Sequence, residues 1–206
     1  MKLYDFPFSP NCRKVRAVAY ELGIALEYEH VDLLTGASRA PAFLARNPNG
    51  RVPVLEDGDL ILWESTAIIR YLAAGSPLAA TAPRAAAEVD RWIAWQLAHL
   101  APAMSKVAFE KIVKRLTRRG EPDPARIAEG TAEFDRLTEI LDGALANRDH
   151  VAGPLSLADF ALAAHYSLAS AAGLSLGRNG RVEAWLARIS ARDSMKRALS
   201  DAQASP

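Results

Sequence analysis

The chain has 206 residues, half of them apolar and about a quarter charged, with a formal net charge of +1. This composition is ordinary for a soluble globular enzyme, and it lacks the strong positive field that nucleic acid or an anionic membrane would require of a partner. A single cysteine, Cys12, excludes an internal disulfide and cannot supply a metal cluster by itself. Since the first residues also lack the apolar run of a signal peptide, we expect a cytoplasmic protein without a metal site.

The first part of the chain, up to about residue 74, alternates short strands with helices. Four segments carry strand patterns, and the last two flank the turn Glu56-Asp57-Gly58-Asp59 as a hairpin. The predicted strands are 2–6, 26–31, 52–55 and 60–63. One helical pattern lies between the first two strands and ends at Gly23, and another begins at Ser65. The predicted order is β-α-β followed by β-β-α.

Beyond residue 84 only helical patterns occur. The segment 75–83 has two prolines and no periodicity, so we place a linker at 76–84, between a domain of residues 1–75 and an all-helical domain of residues 85–206. Asp123-Pro124 is a typical helix start, and Ser156 followed by Asp159 has the spacing of a capping box. The sequence therefore predicts an α/β domain joined to an all-α domain.

The stretch Ser9-Pro10-Asn11-Cys12-Arg13 opens the first predicted helix. Pro10 suits the first helical position, which makes Ser9 the expected N-cap. Ser9 has two interpretations: its hydroxyl only caps the helix, or it also donates a hydrogen bond to an anion or thiolate at the positive helix end. Cys12 shares a helical stripe with Val15 and Ala19, so we interpret it as a buried apolar residue rather than a reactive thiol.

Two further stretches allow either a binding role or a purely structural one. Pro53 cannot donate to a sheet, so Val52-Pro53 is either a plain edge strand or, with a cis bond, a segment whose backbone pairs with a peptide-like ligand. Glu64-Ser65 is either ordinary helix-start chemistry or a site for an α-amino acid head group, with the carboxylate facing the ammonium and helix-start donors facing the carboxylate.

Taken together, the three stretches resemble the glutathione S-transferase family in order and spacing. The matching residues are S-P-N-C-R-K-V-R, N-P-N-G-R-V-P-V-L-E-D-G and W-E-S-T-A-I-I-R-Y-L, and Gly153-Pro154-Leu155-Ser156-Leu157-Ala158-Asp159 is similar to the family's capping motif. The resemblance covers nearly the whole chain. The serine three residues before Cys-Arg resembles bacterial members of the phi, theta and delta types, which use serine where other classes use tyrosine or cysteine.

The resemblance implies a thioredoxin-like N-terminal domain, an all-helical C-terminal domain and a glutathione site. Ser9 would donate to the sulfur of glutathione, Val52 and cis-Pro53 would hold its cysteinyl backbone, and Glu64 with Ser65 would receive its γ-glutamyl head. Arg51 is a candidate partner of the glycyl carboxylate, and Asn11 is a candidate second contact to the sulfur, although its plainer interpretation is a polar first-turn residue.

A second, apolar substrate would then lie near residues that the two domains contribute. The candidates are Phe6, Phe8, His99, Pro102, Ala103 and Phe109. A basic run, from Lys106 to Arg119, is interpreted as a solvated helix face, since no aromatic stacking motif accompanies it. We expect glutathione, an apolar electrophile and a second copy of the chain as partners, and neither nucleic acid nor membrane.

The predicted function is a glutathione transferase that conjugates the thiolate to an electrophile, as in detoxification. Two alternatives stay open at this point. One is a glutathione-dependent disulfide or peroxide reductase that uses the same site, and the other is a non-catalytic binding module on the same fold.

Overall fold

The alternating segments near the N-terminus form one four-stranded sheet with the order β2-β1-β3-β4. Its strands are β1 (Lys2–Asp5), β2 (Glu27–His30), β3 (Val54–Asp57) and β4 (Leu60–Trp63). β1 pairs parallel with β2 and antiparallel with β3. Leu3 of β1 lies opposite Leu55 of β3, and both side chains are buried. β3 and β4 form the predicted hairpin. β3 begins two residues later than expected, because Pro53 has no N–H to donate to the ladder.

This computed structural model describes residues 1–201, which form two units. One comprises Met1–Ala79 together with the chain from Ser190 onward, and the other is Ala80–Ile189. The first unit holds helices α1 (Pro10–Glu21), α2 (Pro41–Leu44) and α3 (Ser65–Leu72), with a 3₁₀ turn at Ala37–Arg39. A further helix near the C-terminus, α10 (Asp193–Ser200), belongs to the same unit. The sequence pattern assigned all of 85–206 to the helical domain, and those domain boundaries stay a prediction.

Helix α1 is covered on every side over most of its length. Residues 12–19 are all buried, because α3 and α10 both pack against the helix in addition to the sheet. Polar contacts tie α10 to α1: Arg16 binds Asp5 of β1 and, at 2.6 Å, Asp201 just beyond α10, and Ser194 donates to Glu21 at 2.5 Å. These contacts hold α1, the helix that follows Ser9, in position.

The second unit is built of helices. They are α4 (Pro83–Trp95), α5 (Ala101–Ala108), α6 (Lys114–Thr117), α7 (Pro124–Ala144), α8 (Leu157–Tyr166) and α9 (Gly180–Ser190). Two π-helical segments, Gln96–Leu100 and Phe109–Val113, connect α4, α5 and α6 into one continuous run. Pro102 lies in the first turn of α5, directly after the first π segment, so a new helical segment starts there.

Both predicted helix starts of the second unit are present. The Asp123 carboxylate accepts from the backbone N–H groups of Ala125 and Arg126. At α8, the Asp159 carboxylate accepts from the Ser156 backbone N–H at 3.0 Å, completing the capping box. At Gly130 of α7 a side chain would meet Val107 at 2.7 Å, so a glycine is what lets α7 approach α5 closely. None of the helices among residues 1–201 is long and apolar enough to cross a membrane.

Candidate functional site

Ser9 occupies the N-cap position of α1, as predicted, with an extended backbone (φ −73°, ψ 126°). Its carbonyl accepts from the N–H groups of Cys12 and Arg13 at 3.0 and 2.9 Å, which closes the first turn. Within the described residues its hydroxyl makes no capping hydrogen bond to that turn. The helix start therefore forms without the hydroxyl, which leaves the side chain for another task.

Asn11 and Ser65 join the starts of two helices. The Ser65 hydroxyl at the beginning of α3 donates to the Asn11 side-chain oxygen in the first turn of α1, at 3.2 Å. Ser65 is buried and Asn11 is half-buried. Two of the predicted site residues, 54 positions apart in sequence, are thus in direct contact, and Ser9 lies two residues from Asn11. With its oxygen occupied by Ser65, the Asn11 amide keeps its N–H groups for another partner.

The Val52-Pro53 peptide bond is cis, as the family resemblance implies. Val52 is buried in a small apolar cluster with Cys12, Val31, Phe43 and Val54. Among residues 1–201, no hydrogen bond uses the backbone N–H or C=O of Val52. Because β3 starts only at Val54, the Val52 backbone is available to an extended ligand.

Glu64 is the N-cap of α3 and has a left-handed backbone, with φ at 71°. A positive φ is uncommon for a residue with a side chain, and its cost of about 1–3 kcal/mol is typical of positions that bind ligands. The Glu64 side chain is exposed, while the next residue, Ser65, is buried. A carboxylate therefore stands in solvent beside the positive end of a helix, as the head-group hypothesis requires.

Arg51, by contrast, is exposed, and no described contact fixes its side chain. Its backbone carbonyl accepts from the Asn47 amide at 2.7 Å, which anchors the turn before Val52. The structure therefore places Arg51 next to the Val52 segment without assigning its guanidinium a partner.

Cys12 is fully buried. Burial, followed by the nearby Asp5 charge, raises the pKa of its thiol well above the ordinary value, and hydrogen bonds from the Phe6 N–H and the Ser9 hydroxyl oppose this only in part. The interpretation of Cys12 as a core residue is confirmed.

Two aromatic rings lie immediately before Ser9. Phe8 is 48% exposed, and its ring centroid is 5.5 Å from that of half-buried Phe6, which also contacts His30. An exposed phenylalanine beside a helix start provides an apolar surface next to the predicted sulfur position.

The other second-substrate candidates lie in the helical unit. His99 is exposed, with its ring 6.4 Å from that of Trp95, and Pro102 is also exposed, whereas Phe109 is half-buried. Ala103 is only 3% exposed, and its carbonyl packs toward Gly130 of α7. Ala103 therefore belongs to the α5–α7 contact.

In the basic run, Lys106 and Lys114 form ion pairs with Glu129 and Glu110, both at 2.6 Å.

The sequence matches the family model for the glutathione S-transferase N-terminal domain over residues 3–79. A curated relative, glutathione S-transferase 3 of Zea mays, is 34% identical over an alignment covering 97% of this chain and 93% of that protein. The chain belongs to the glutathione S-transferase family.

Solved structures of transferases agree with this assignment. Glutathione transferase F7 from Populus trichocarpa is 30% identical, with 98% of both chains covered and a TM-score of 0.89. Maize glutathione S-transferase I in complex with an atrazine glutathione conjugate is 27% identical, with 100% of this chain and 99% of that chain covered and a TM-score of 0.89. The predicted thioredoxin-like domain with an all-helical second domain is confirmed. The protein is a glutathione transferase that uses glutathione as co-substrate and conjugates it to electrophiles.

One polar residue of this transferase's first unit was missed in the sequence analysis. Lys14 on α1 is fully buried, and its ammonium donates to the Thr66 hydroxyl of α3 at 3.1 Å. Its position three residues after Asn11 was the available signal, because residues at that spacing share a helix face. The contact lies beside Glu64 and Ser65, so a buried cation adjoins the predicted head-group site.

Proposed function

We propose that this transferase is of the serine type, with the Ser9 hydroxyl donating to the sulfur of glutathione. The observation that carries the proposal is the Ser9 side chain at the start of α1, which does not cap its helix. A free thiol is only a few per cent ionised at neutral pH, so lowering its pKa by about two units requires ~2.7 kcal/mol of preference for the thiolate. A charge-assisted hydrogen bond contributes about 1.5–3 kcal/mol and the helix end ~0.5 kcal/mol, which together suffice.

The remainder of glutathione follows the residues already described. The Val52 backbone pairs with the cysteinyl unit, and Pro53 keeps that segment out of the ladder directly before β3. Glu64 binds the α-ammonium of the γ-glutamyl head, and the start of α3 at Ser65 binds its α-carboxylate. Asn11 offers its amide N–H to the sulfur as a second donor, and Arg51 reaches the glycyl carboxylate from the surface.

The electrophile lies on the apolar surface that Phe8 and Phe6 form beside Ser9. Exposed aromatic area next to the thiolate favours an apolar acceptor over a charged one. The participation of His99, Pro102 and Phe109 stays a prediction. For Ala103 the burial against α7 argues against direct contact with the acceptor.

We further propose a homodimer. Four large hydrophobic side chains of β4 and α3 are exposed, which is unusual for a monomer. This exposure favours a dimer in which a second copy of the chain buries them. They are Leu60, Ile61, Trp63 and Tyr71, each 37–44% exposed. Light scattering on Trp63→Asp tests this point, and a wild-type protein that scatters as a monomer would overturn it.

A cytoplasmic detoxification role and a phi, theta or delta subtype are proposed on the sequence resemblance alone.

The central proposal is tested by comparing Ser9→Ala with Cys12→Ala. Isothermal titration with glutathione and conjugation of 1-chloro-2,4-dinitrobenzene are the measurements. Ser9→Ala should lower kcat/KM about 100-fold, which corresponds to the two pKa units lost, while Cys12→Ala should stay within about 3-fold of wild type. The reverse order of losses would make Cys12 the catalytic residue, and no binding of millimolar glutathione would remove the proposed site altogether.

A further inference from the structure

Lys14 is an ionisable group in the first unit whose charge has no carboxylate partner. Among residues 1–201 its ammonium forms no ion pair, and Thr66 is its one hydrogen-bond partner, at 3.1 Å. The side chain is fully buried, yet an ammonium has three donors. Buried charges are normally paired, since an uncompensated one is costly. Lys14 therefore has a charge and two donors that no described residue of the free protein satisfies.

The location of this charge identifies the missing partner. Thr66 is the second residue of α3, directly after Ser65 and two residues after Glu64. Burial lowers the pKa of Lys14 to about 8, and the largest opposing effect is the negative charge of Glu64. The cation thus lies close beneath the start of α3, where the helix dipole also favours an anion.

Thr66 connects the buried charge to the surface. Its oxygen accepts from Lys14, so its own O–H is directed elsewhere, and no hydrogen bond within the described residues uses that proton. Thr66 is half-buried, so a ligand can reach it. A hydroxyl that accepts from a cation becomes a stronger donor, because adjacent hydrogen bonds polarise one another.

We propose that Lys14 is a positioning residue for glutathione, whose buried charge acts through the Thr66 hydroxyl on the α-carboxylate of the γ-glutamyl head. This inference rests on the proposed glutathione site at Glu64 and Ser65. The pairing of charges is complementary: Glu64 faces the α-ammonium, and Lys14 with the α3 terminus faces the α-carboxylate. A zwitterionic head group then satisfies both, whereas a head group without the carboxylate leaves Lys14 unpaired.

The test uses two ligands that differ in this one carboxylate. S-methylglutathione has a blocked thiol, so the contribution of Ser9 to thiolate formation is absent. The matched ligand is 4-aminobutyryl-S-methylcysteinylglycine, the same peptide without the α-carboxylate. Titration calorimetry at pH 6.5 measures both Kd values for wild type, Lys14→Met and Lys14→Arg, and thermal unfolding verifies each fold.

Lys14→Met should weaken S-methylglutathione about 10-fold and change the Kd of the decarboxylated peptide less than about 2-fold. Lys14→Arg keeps the charge and should stay within about 3-fold of wild type for both ligands. Thr66→Val should reduce the effect of Lys14→Met when the two changes are combined, because the charge acts through that hydroxyl.

An equal loss for both ligands in Lys14→Met would reduce Lys14 to a structural link between α1 and α3, and no loss would overturn the inference outright. If Lys14→Met does not fold, Lys14→Gln, which removes the charge but keeps a donor for Thr66, decides by the same criterion. Failure of wild type to bind S-methylglutathione at ~10 mM would instead overturn the proposed glutathione site, so the two failures are distinguishable.

Discussion

Two buried polar groups, one in each unit of this transferase, are satisfied to very different degrees. In the helical unit the Asp159 carboxylate is fully buried and accepts four hydrogen bonds, from the Ser156 backbone and hydroxyl, the Val151 N–H and the Trp185 indole, at 2.9–3.3 Å. In the first unit the Lys14 ammonium is equally buried but has one partner. A satisfied buried group stabilises the fold, whereas an unsatisfied one costs stability and points to a ligand.

The largest expected effect is the loss of stability when the satisfied carboxylate of Asp159 is removed. Asp159→Ala leaves four buried donors without an acceptor, so the free energy of unfolding should fall by about 3–5 kcal/mol. Asp149→Ala is the matched control, since that carboxylate is 81% exposed and 3.7 Å from Arg188, and it should cost less than about 0.5 kcal/mol. Urea unfolding measures both. Similar losses in the two variants would show that the buried network is not what holds the helical unit together.

Lys14→Met removes the unsatisfied ammonium. It should raise the free energy of unfolding, whereas Asp159→Ala should lower it. The pKa of Lys14 is lowered from 10.5 to about 8 in the folded protein, so the unfolded chain binds the proton more tightly. Stability therefore rises as pH increases from about 8 to 10.5, and the full penalty applies below pH 8. A shift of about 2.5 pKa units corresponds to roughly 3 kcal/mol, from which the lost Thr66 hydrogen bond subtracts ~1 kcal/mol.

The expected result at pH 7 is thus a gain of about 2 kcal/mol for Lys14→Met, which falls to zero at about pH 10 and becomes a loss of ~1 kcal/mol above about pH 10.5, where only the missing Thr66 hydrogen bond counts. Urea unfolding at a series of pH values measures it. Lys14→Arg serves as control, because a guanidinium stays charged throughout this range and should bring no gain. A loss of stability in Lys14→Met at pH 7 would mean that the ammonium is satisfied after all, and the contrast with Asp159 would disappear.

The same contrast explains what sequence could predict. Ser9, Val52-Pro53 and Glu64-Ser65 were found because each is a contiguous stretch with local chemistry, such as a helix start or a proline in a strand. Lys14 was missed because its hydrogen-bond partner, Thr66, lies on α3, 52 positions further along the chain. The packing of α10 on α1 is even less local, since the contact between Arg16 and Asp201 joins residues 185 positions apart. The helical spacing within α1 places Lys14 on the same face as Asn11, but it does not show that another helix buries that face.

Helix α10 itself was not predicted, since Asp193–Ser200 is short and rich in charged residues. Its place is fixed by partners on α1 such as Glu21, which accepts from Arg192 and Ser194. The β3–β4 hairpin, in contrast, was predictable, because the alternating patterns and the Gly58 turn determine it locally. Local signals thus outlined the proposed glutathione site, and only long-range packing revealed the charge beneath it.

The smallest expected effect separates the two N-cap serines. Ser156 belongs to the capping box of α8, where its hydroxyl donates to the buried Asp159 carboxylate at 3.3 Å, so Ser156→Ala should cost about 1 kcal/mol of unfolding free energy. Ser9 makes no capping hydrogen bond with its side chain among the described residues, so Ser9→Ala should cost less than about 0.5 kcal/mol. Both variants are measured by urea unfolding without glutathione. If Ser9→Ala cost as much as Ser156→Ala, its hydroxyl would be a structural cap in solution, and its role as donor to the glutathione sulfur would need another residue, of which Asn11 is the nearest along α1.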